Sequence, residues 1–295
     1  MKTQKFGIEI EMTGLTRSAA ATVIAKHFGT TVSFEGGGYD TRTVADGTGR
    51  KWKIVSDSSI RAAKKGGGYA GDEYKVEMVS PICTYADIET VQEIVRQLRH
   101  KGAMVNDSCG IHVHIDAAAH TARSLWNLAN IMASKENLLF KAVGVKSNRE
   151  GYCEKVDRTF LEKLNKAKPK DKSKIKTLWY NGNDGSNNHY DGSRYRALNL
   201  HSVWQKGTVE FRLYNSSLHA GEIKSYIQLS LAINRQALTQ TCASYRTTET
   251  TNDKYTFRTW LLRLGLIGDE FETARHHLLK NLSGDIAFRD NRRAA

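Results

Sequence analysis

Eight side chains able to hold a metal ion or a phosphate fall on four short segments that share one design. Glu9 and Glu11 alternate with Phe6, Ile8, Ile10 and Met12, and Glu77 stands between Val76 and Met78. His112, His114 and Asp116 alternate with Ile111, Val113 and Ile115, and Glu210 and Arg212 alternate with Val209, Phe211 and Leu213. A period of two is the pattern of a half-buried strand, with successive polar groups on one face about 7 Å apart. One Glu-x-Glu or one His-x-His would read as ordinary solvated surface. Four segments in matched register predict a sheet with one apolar face and one ionisable face, in which a one-residue slip would bury the charges. Clustered carboxylates cost several kcal/mol per ion when taken out of water without a cation. Oxygen donors with occasional imidazole suit Mg²⁺ or Mn²⁺ rather than zinc, whose helical His-x-x-x-His spacing is absent. Magnesium held by carboxylates keeps positions for water and phosphate oxygens, and Arg212 could neutralise a phosphoryl group during transfer.

The intervening chain must position these segments. Thr16 to Phe28 reads as a helix capped by Thr16 and ended by Gly29, and Thr84 to Lys101 as an amphipathic helix ended by Gly102. Strands are expected at Thr31–Glu35, Lys51–Val55, Tyr74–Val79, Arg194–Leu200 and Thr208–Tyr214, the last two joined by a turn near Lys206 and Gly207. Further helices are expected over about Thr121–Val143, Ala220–Gln240, Tyr255–Leu264 and Asp269–Leu282. The segment 145–193 is the least regular, a basic helical stretch running into the loop Asn181–Asn188. Gly66–Gly68 reads as a surface loop, either a lid over a phosphate or a plain connection. Strands scattered among helices, mostly too closely connected for parallel crossovers, predict an α+β chain with a largely antiparallel sheet.

The chain has 295 residues, 40% hydrophobic and 25% charged, a formal net charge of +13 and a pI near 9.5. Such a composition suits a globular protein, and the positive balance suits a polyanionic partner: nucleic acid, a triphosphate or an acidic substrate. Seven lysines cluster between Lys163 and Lys176, a pattern that also describes a solvated helix face. No leader peptide or membrane span is expected, and the four scattered cysteines predict a reducing, cytoplasmic setting without disulfides or a zinc knuckle. Cys109 is expected to be a small buried side chain.

The motifs Phe6–Glu11, Asp57-Ser58-Ser59-Ile60, Glu77–Pro81, Gly110–Asp116, Arg196 with Leu198-Asn199-Leu200, and Gly207–Arg212 occur in an order that resembles the amidoligase family. That family comprises carboxylate–amine ligases related to glutamine synthetase and glutamate–cysteine ligase, and the likeness spans roughly residues 5–215. It implies a glutamine-synthetase-like curved, mainly antiparallel sheet, a half-barrel with helices on its outer face. One catalytic domain would cover 1–283, with a helical part at 219–283 and a basic tail at 284–295. It further implies ATP and Mg²⁺ or Mn²⁺ as cofactors, the metal held by Glu9, Glu11, Glu77, His112 and Glu210. His114, Arg212, Arg196 and Asn199 would contact the nucleotide. Arg212, Arg196 and Asp57 would serve catalysis, and Asp57 and Ser59 would line the acceptor side. The implied reaction forms an amide or peptide bond through an acyl phosphate from a carboxylate and an amine that the sequence does not name; the basic surface leaves room for one of them to be carried on a peptide, protein or nucleic acid.

Two other classes use the same residues. A metal-dependent phosphohydrolase or nuclease also needs clustered carboxylates, histidine and a basic surface. A nucleic-acid-binding protein without catalysis would rely on the lysines and on loop aromatics such as Tyr39, Trp52 and Tyr69. Substrate choice is expected to reside in Phe34–Arg50, Lys64–Asp72 and Gly144–Ser193.

Overall fold

A computed structural model describes residues 1–289. The chain is α+β, built on an open antiparallel sheet of eight strands: β1 (Phe6–Met12), β2 (Val32–Gly36), β3 (Thr41–Ala45), β4 (Lys51–Val55), β5 (Val76–Val79), β6 (Gly110–Asp116), β7 (Leu198–Asn199) and β8 (Thr208–Asn215). Their order is β2-β3-β4-β5-β1-β6-β8-β7. The helices are α1 (Arg17–Phe28), α2 (Ile88–Lys101), α3 (Ala122–Val143), α4 (Arg158–Ala167), α5 (Lys172–Trp179), α6 (His201–Gln205), α7 (Ala220–Thr239), α8 (Asp253–Arg263) and α9 (Glu272–Leu279). No described helix is long and apolar enough to cross a membrane. The chain divides into two compact units: a strand-rich one of Lys2–His114 with Tyr214–Ile227, and a helix-rich one of Met1, Ile115–Leu213 and the chain from Gln228 on.

In the strand-rich unit the apolar row expected of β1 is fully realised: Phe6, Ile8, Ile10 and Met12 are buried, as are Trp52 and Ile54 of β4 and Val76 and Met78 of β5. α1 packs on β3, β4 and α2, presenting Ala20, Ala21 and Ile24, while α2 buries Val91, Ile94, Val95 and Leu98. The expected stops hold. Thr16 accepts from the Ala19 amide, and Gly29 and Gly102 end their helices in left-handed conformation. Thr84 and Asp87 form a capping box before α2. Ser80 fixes the β1 register by accepting from the Ile8 amide at 2.9 Å, while its own amide donates to the Ile8 carbonyl at 2.9 Å. Gly14, just past β1, has φ +86°. A Cβ there would lie 2.6 Å from the Gly102 carbonyl oxygen, so the close approach of the β1 and α2 ends requires glycine.

Three local expectations change. β3 was not expected, because Thr41–Ala45 carries only a short mixed pattern; it forms because β2 and β4 supply ladder partners on both sides. The strand expected over Arg194–Leu200 shrinks to Leu198–Asn199, and α6 rather than a turn leads into β8. Trp52 lies on β4 and is fully buried, so it is not a loop aromatic open to a partner.

The helix-rich unit is organised on α3, which packs against α4, α5 and α9 and is buried along most of its length. The polar group at its start is satisfied. His120 bonds Ser124 Oγ at 2.9 Å and Asn234 Oδ1 at 2.8 Å, and burial lowers its pKa, so it is a neutral core histidine. Of the expected tail at 284–295, residues 284–289 are described: Asp285 accepts from the Ala287 and Phe288 amides, and the Phe288 carbonyl accepts from Asn252. The remainder lies outside the described residues.

Candidate functional site

The strand-rich unit holds seven of the expected site residues: Glu9, Glu11, Asp57, Ser59, Glu77, His112 and His114. The β1–β5 register sets Glu11 directly opposite Glu77, and the β4–β5 register sets Val55 opposite Glu77. Like charges facing one another across two strands are destabilising. Asp57 lies two residues beyond Val55 and arrives at the same place. Glu11, Asp57 and Glu77 each offer an oxygen within 4.8 Å of the others, and Glu9, Glu77 and His112 form a second such group. Glu77 belongs to both.

These donors are held rather than loose. Glu11 is buried and its Oε2 accepts from the Gly110 amide at 2.5 Å. Its backbone carbonyl accepts from Ser216 Oγ at 2.5 Å. His112 Nδ1 lies 3.0 Å from Glu9 Oε2, His112 Nε2 lies 3.8 Å from Glu11 Oε1, and His114 Nε2 lies 3.2 Å from Glu9 Oε1. Both imidazoles are buried. Asp57 Oδ1 accepts from the Ser59 hydroxyl at 2.6 Å and the Ser59 amide at 2.7 Å, a tight Asx turn that orients the carboxylate.

This donor set fits a hard divalent cation. Opposite ligand oxygens of Mg²⁺ stand about 4.2 Å apart, twice a bond of about 2.1 Å, so groups already within 4.8 Å need only small adjustments. The set comprises four carboxylates and an imidazole, with no thiolate, as Mg²⁺ or Mn²⁺ prefers.

The helix-rich unit gathers another group. Asn199 faces Glu210 across β7 and β8 and donates to its Oε2 at 2.7 Å. Arg212, two residues along the same face of β8, donates to Glu210 Oε1 at 2.5 Å. All three are buried. Arg196 stands apart from them, donating to Glu154 Oε2 at 2.6 Å and the Lys155 carbonyl at 3.2 Å. It lines a cavity of about 290 Å³ with Lys163, Phe160 and Trp179. Asp116, at the exposed end of β6, caps the next loop by accepting from the Ala118 amide at 2.9 Å and joins neither group.

Sequence reasoning missed one buried pair. Tyr180 and His201 are joined by a short hydrogen bond at His201 Nδ1. Burial raises the Tyr180 pKa well above its ordinary value and lowers that of His201, so both are neutral near pH 7. His201 Nε2 and Asn199 Oδ1 are buried without a hydrogen-bond partner among the described residues. Both residues line a cavity of about 20 Å³, room for one water. Neither residue falls in a periodic segment, so no pattern announced the pair. Asp57, an acceptor-side residue by resemblance, lies here beside Glu11 and Glu77.

Fold and donors together define a class: an α+β protein whose strand face presents a carboxylate-rich centre suited to hard cations. The model of the family described as "putative amidoligase enzyme" matches residues 2–234. The chain belongs to that amidoligase family, which supports an enzyme of the ligase class. None of the curated proteins matches the chain.

Proposed function

We propose that this protein is an ATP- and Mg²⁺-dependent carboxylate–amine ligase, working on a glutamine-synthetase-like sheet through an acyl phosphate. The observation that carries the reading is the pair of ligand groups sharing Glu77 in a chain of the amidoligase family. In this reading Glu9, Glu77 and His112 hold one cation, and Glu11, Asp57 and Glu77 another; Glu210 is a further metal ligand. When bound, the metal supplies charge neutralisation of ATP phosphates and lowers the barrier to γ-phosphoryl transfer.

The chain's own residues do the rest. Carboxylates are poor electrophiles, so the substrate carboxylate first attacks the γ-phosphorus, giving an acyl phosphate and ADP. Arg212 donates to the transferring phosphoryl oxygens, its guanidinium positioned by Glu210, which Asn199 holds in turn, and Arg196 meets phosphate or the substrate carboxylate. His114 and Asn199 contact the nucleotide. Ser59 orients Asp57, on the side from which the amine attacks the acyl carbon and expels phosphate. Proximity and charge carry this chemistry, which needs no protein nucleophile. The buried Cys109 accordingly has none of that role.

The test is calorimetric titration of ATP with and without Mg²⁺ into the wild type, Glu9→Gln and Glu77→Gln. Expected is Mg²⁺-dependent binding lost in both variants, followed by ADP release when pooled carboxylic acids and amines are supplied together. Absence of ATP binding, or phosphodiester cleavage without ATP, would overturn the ligase in favour of a metal-dependent hydrolase.

A further inference from the structure

All of the chain past residue 248 lies beyond the family match, which ends at 234, and its described part builds a feature of its own. With Lys135 of α3 it encloses a cleft of about 770 Å³ in the helix-rich unit, within the size range of small-molecule sites. Thr256, Thr259, Trp260 and Arg263 of α8 line it. Their spacing is the i, i+3, i+4, i+7 face that a helix ordinarily gives to an apolar core. Here that face carries hydroxyls and a guanidinium.

The charge inside is one-sided. Lys135, Arg263 and Arg289 enter the lining, against the single carboxylate of Glu249 among the described residues. Lys135 is the most constrained of the three. Its Nζ donates to Thr248 Oγ1 at 2.7 Å and stands 5.8 Å from the centre of the Trp260 ring. Burial and the Arg263 cation lower its pKa. Among the described residues no carboxylate forms an ion pair with Lys135, whose partners are a hydroxyl and a ring. An ammonium half withdrawn from water and in no ion pair is held at a cost that an anionic ligand would relieve. Trp260 is fixed as the floor, since its indole nitrogen donates to Gln236 Oε1 at 3.2 Å.

We propose that this cleft is a binding site for a small phosphate-bearing molecule, its phosphate held by Lys135 and Arg263 with threonine hydroxyls beside them. Three cations against one acid match a doubly charged phosphate better than a single carboxylate. Guanidinium, ammonium and hydroxyl donors can serve three phosphate oxygens at once. The volume exceeds that of phosphate severalfold, so the natural ligand carries an organic part. No divalent metal enters the site, which keeps it independent of the carboxylate centre.

The experiment is titration of pyrophosphate into the full chain in EDTA, followed by calorimetry, for the wild type, Lys135→Met, Arg263→Gln and Glu77→Gln. Methionine keeps the apolar stem over Trp260, and Arg263 is exposed, so both variants retain the packing; their melting curves check this. Expected is saturable binding, weakened tenfold or more in Lys135→Met and in Arg263→Gln and unchanged in Glu77→Gln. No binding in the wild type at millimolar pyrophosphate, equal binding in all four proteins, or loss in Glu77→Gln would overturn the proposal. So would single-stranded RNA binding far more tightly than pyrophosphate through the same two residues. ATP failing to bind with Mg²⁺ at the carboxylate centre would leave this result untouched.

Discussion

Replacing Glu77 by Gln should change the stability of this protein in opposite directions with and without a divalent cation. Glu77 faces Glu11 across the β1–β5 ladder and belongs to both ligand groups, whose donor atoms lie within 4.8 Å of one another. Two like charges at that separation repel by about 3 kcal/mol at an effective dielectric constant of about 20. The neighbouring imidazoles and remaining solvent reduce that, so a gain of about 1–2 kcal/mol is expected on neutralising Glu77 in EDTA. With cation at a hundredfold its dissociation constant the wild type gains about 2.7 kcal/mol by mass action. The variant, lacking the shared ligand, gains little. The rank order therefore inverts, and urea unfolding of both proteins in EDTA and in excess MnCl₂ reads it directly. If Glu77→Gln is less stable than the wild type in both media, or gains as much from Mn²⁺, the carboxylates are a structural network and the metal assignment fails.

Burial raises the Glu136 carboxyl to about 7, although the Val156 amide donates to it at 2.7 Å. Its folded pKa exceeds its unfolded value, so the protonated form is favoured in the fold and stability falls as pH rises from about 4.5 towards 7, by roughly 3 kcal/mol in all. Glu136→Gln should flatten that slope and be the more stable protein at pH 8; parallel wild-type and variant profiles would refute it. Asp87 behaves oppositely. Arg50 beside it holds its carboxyl at about 2, so its contribution is present above about pH 4 and is lost as pH falls towards 2. Asp87→Asn, which also breaks the capping box of α2, should cost about 1–2 kcal/mol at pH 7 and nothing at pH 2 in chemical unfolding. Gly14→Ala should lower stability by more than about 1 kcal/mol, since the left-handed backbone and the Gly102 carbonyl both exclude a side chain; an unchanged melting curve would remove the close-approach argument. Of the four cysteines only Cys242 is exposed, and burial raises the Cys83 thiol to about 11, so a native thiol titration should count one fast group.

How far the fold was legible depended on periodicity. β1, β6 and β8 alternate strictly and carry their β-branched and aromatic residues on one side, so pattern alone located them within a residue. α1 and α2 were marked at both ends by Thr16, Thr84, Gly29 and Gly102, whose caps the structure contains, and α3, expected over about Thr121–Val143, is capped by Thr121 and Gly144. β3 was illegible because Thr41–Ala45 owes its strand state to ladder partners rather than to its own residues. β7 was overstated because the chain is still in a helical turn at Gly192–Arg194 and enters α6 at His201, which leaves room for only a short ladder.

The site divides along a similar line. Residues on regular strands could be placed on a face from spacing alone, which is why Glu9, Glu11, Glu77 and His112 come together as the alternation requires. What spacing cannot supply is register. Nothing in the local sequence sets Glu11 opposite Glu77 or draws Asp57, two residues past a strand end, into the same group; pairing of β4, β5 and β1 does both. That register brings like charges together, and the groups that meet them include the Gly110 amide and His112 beside Glu11 and the Ser59 amide and hydroxyl on Asp57. In the proposed reading a divalent cation would act on several of them at once. The opposed pair Glu11–Glu77 is thus the element whose arrangement is hardest to explain by folding alone: Glu77→Gln should remove both cations, and Glu11→Gln only the one shared with Asp57.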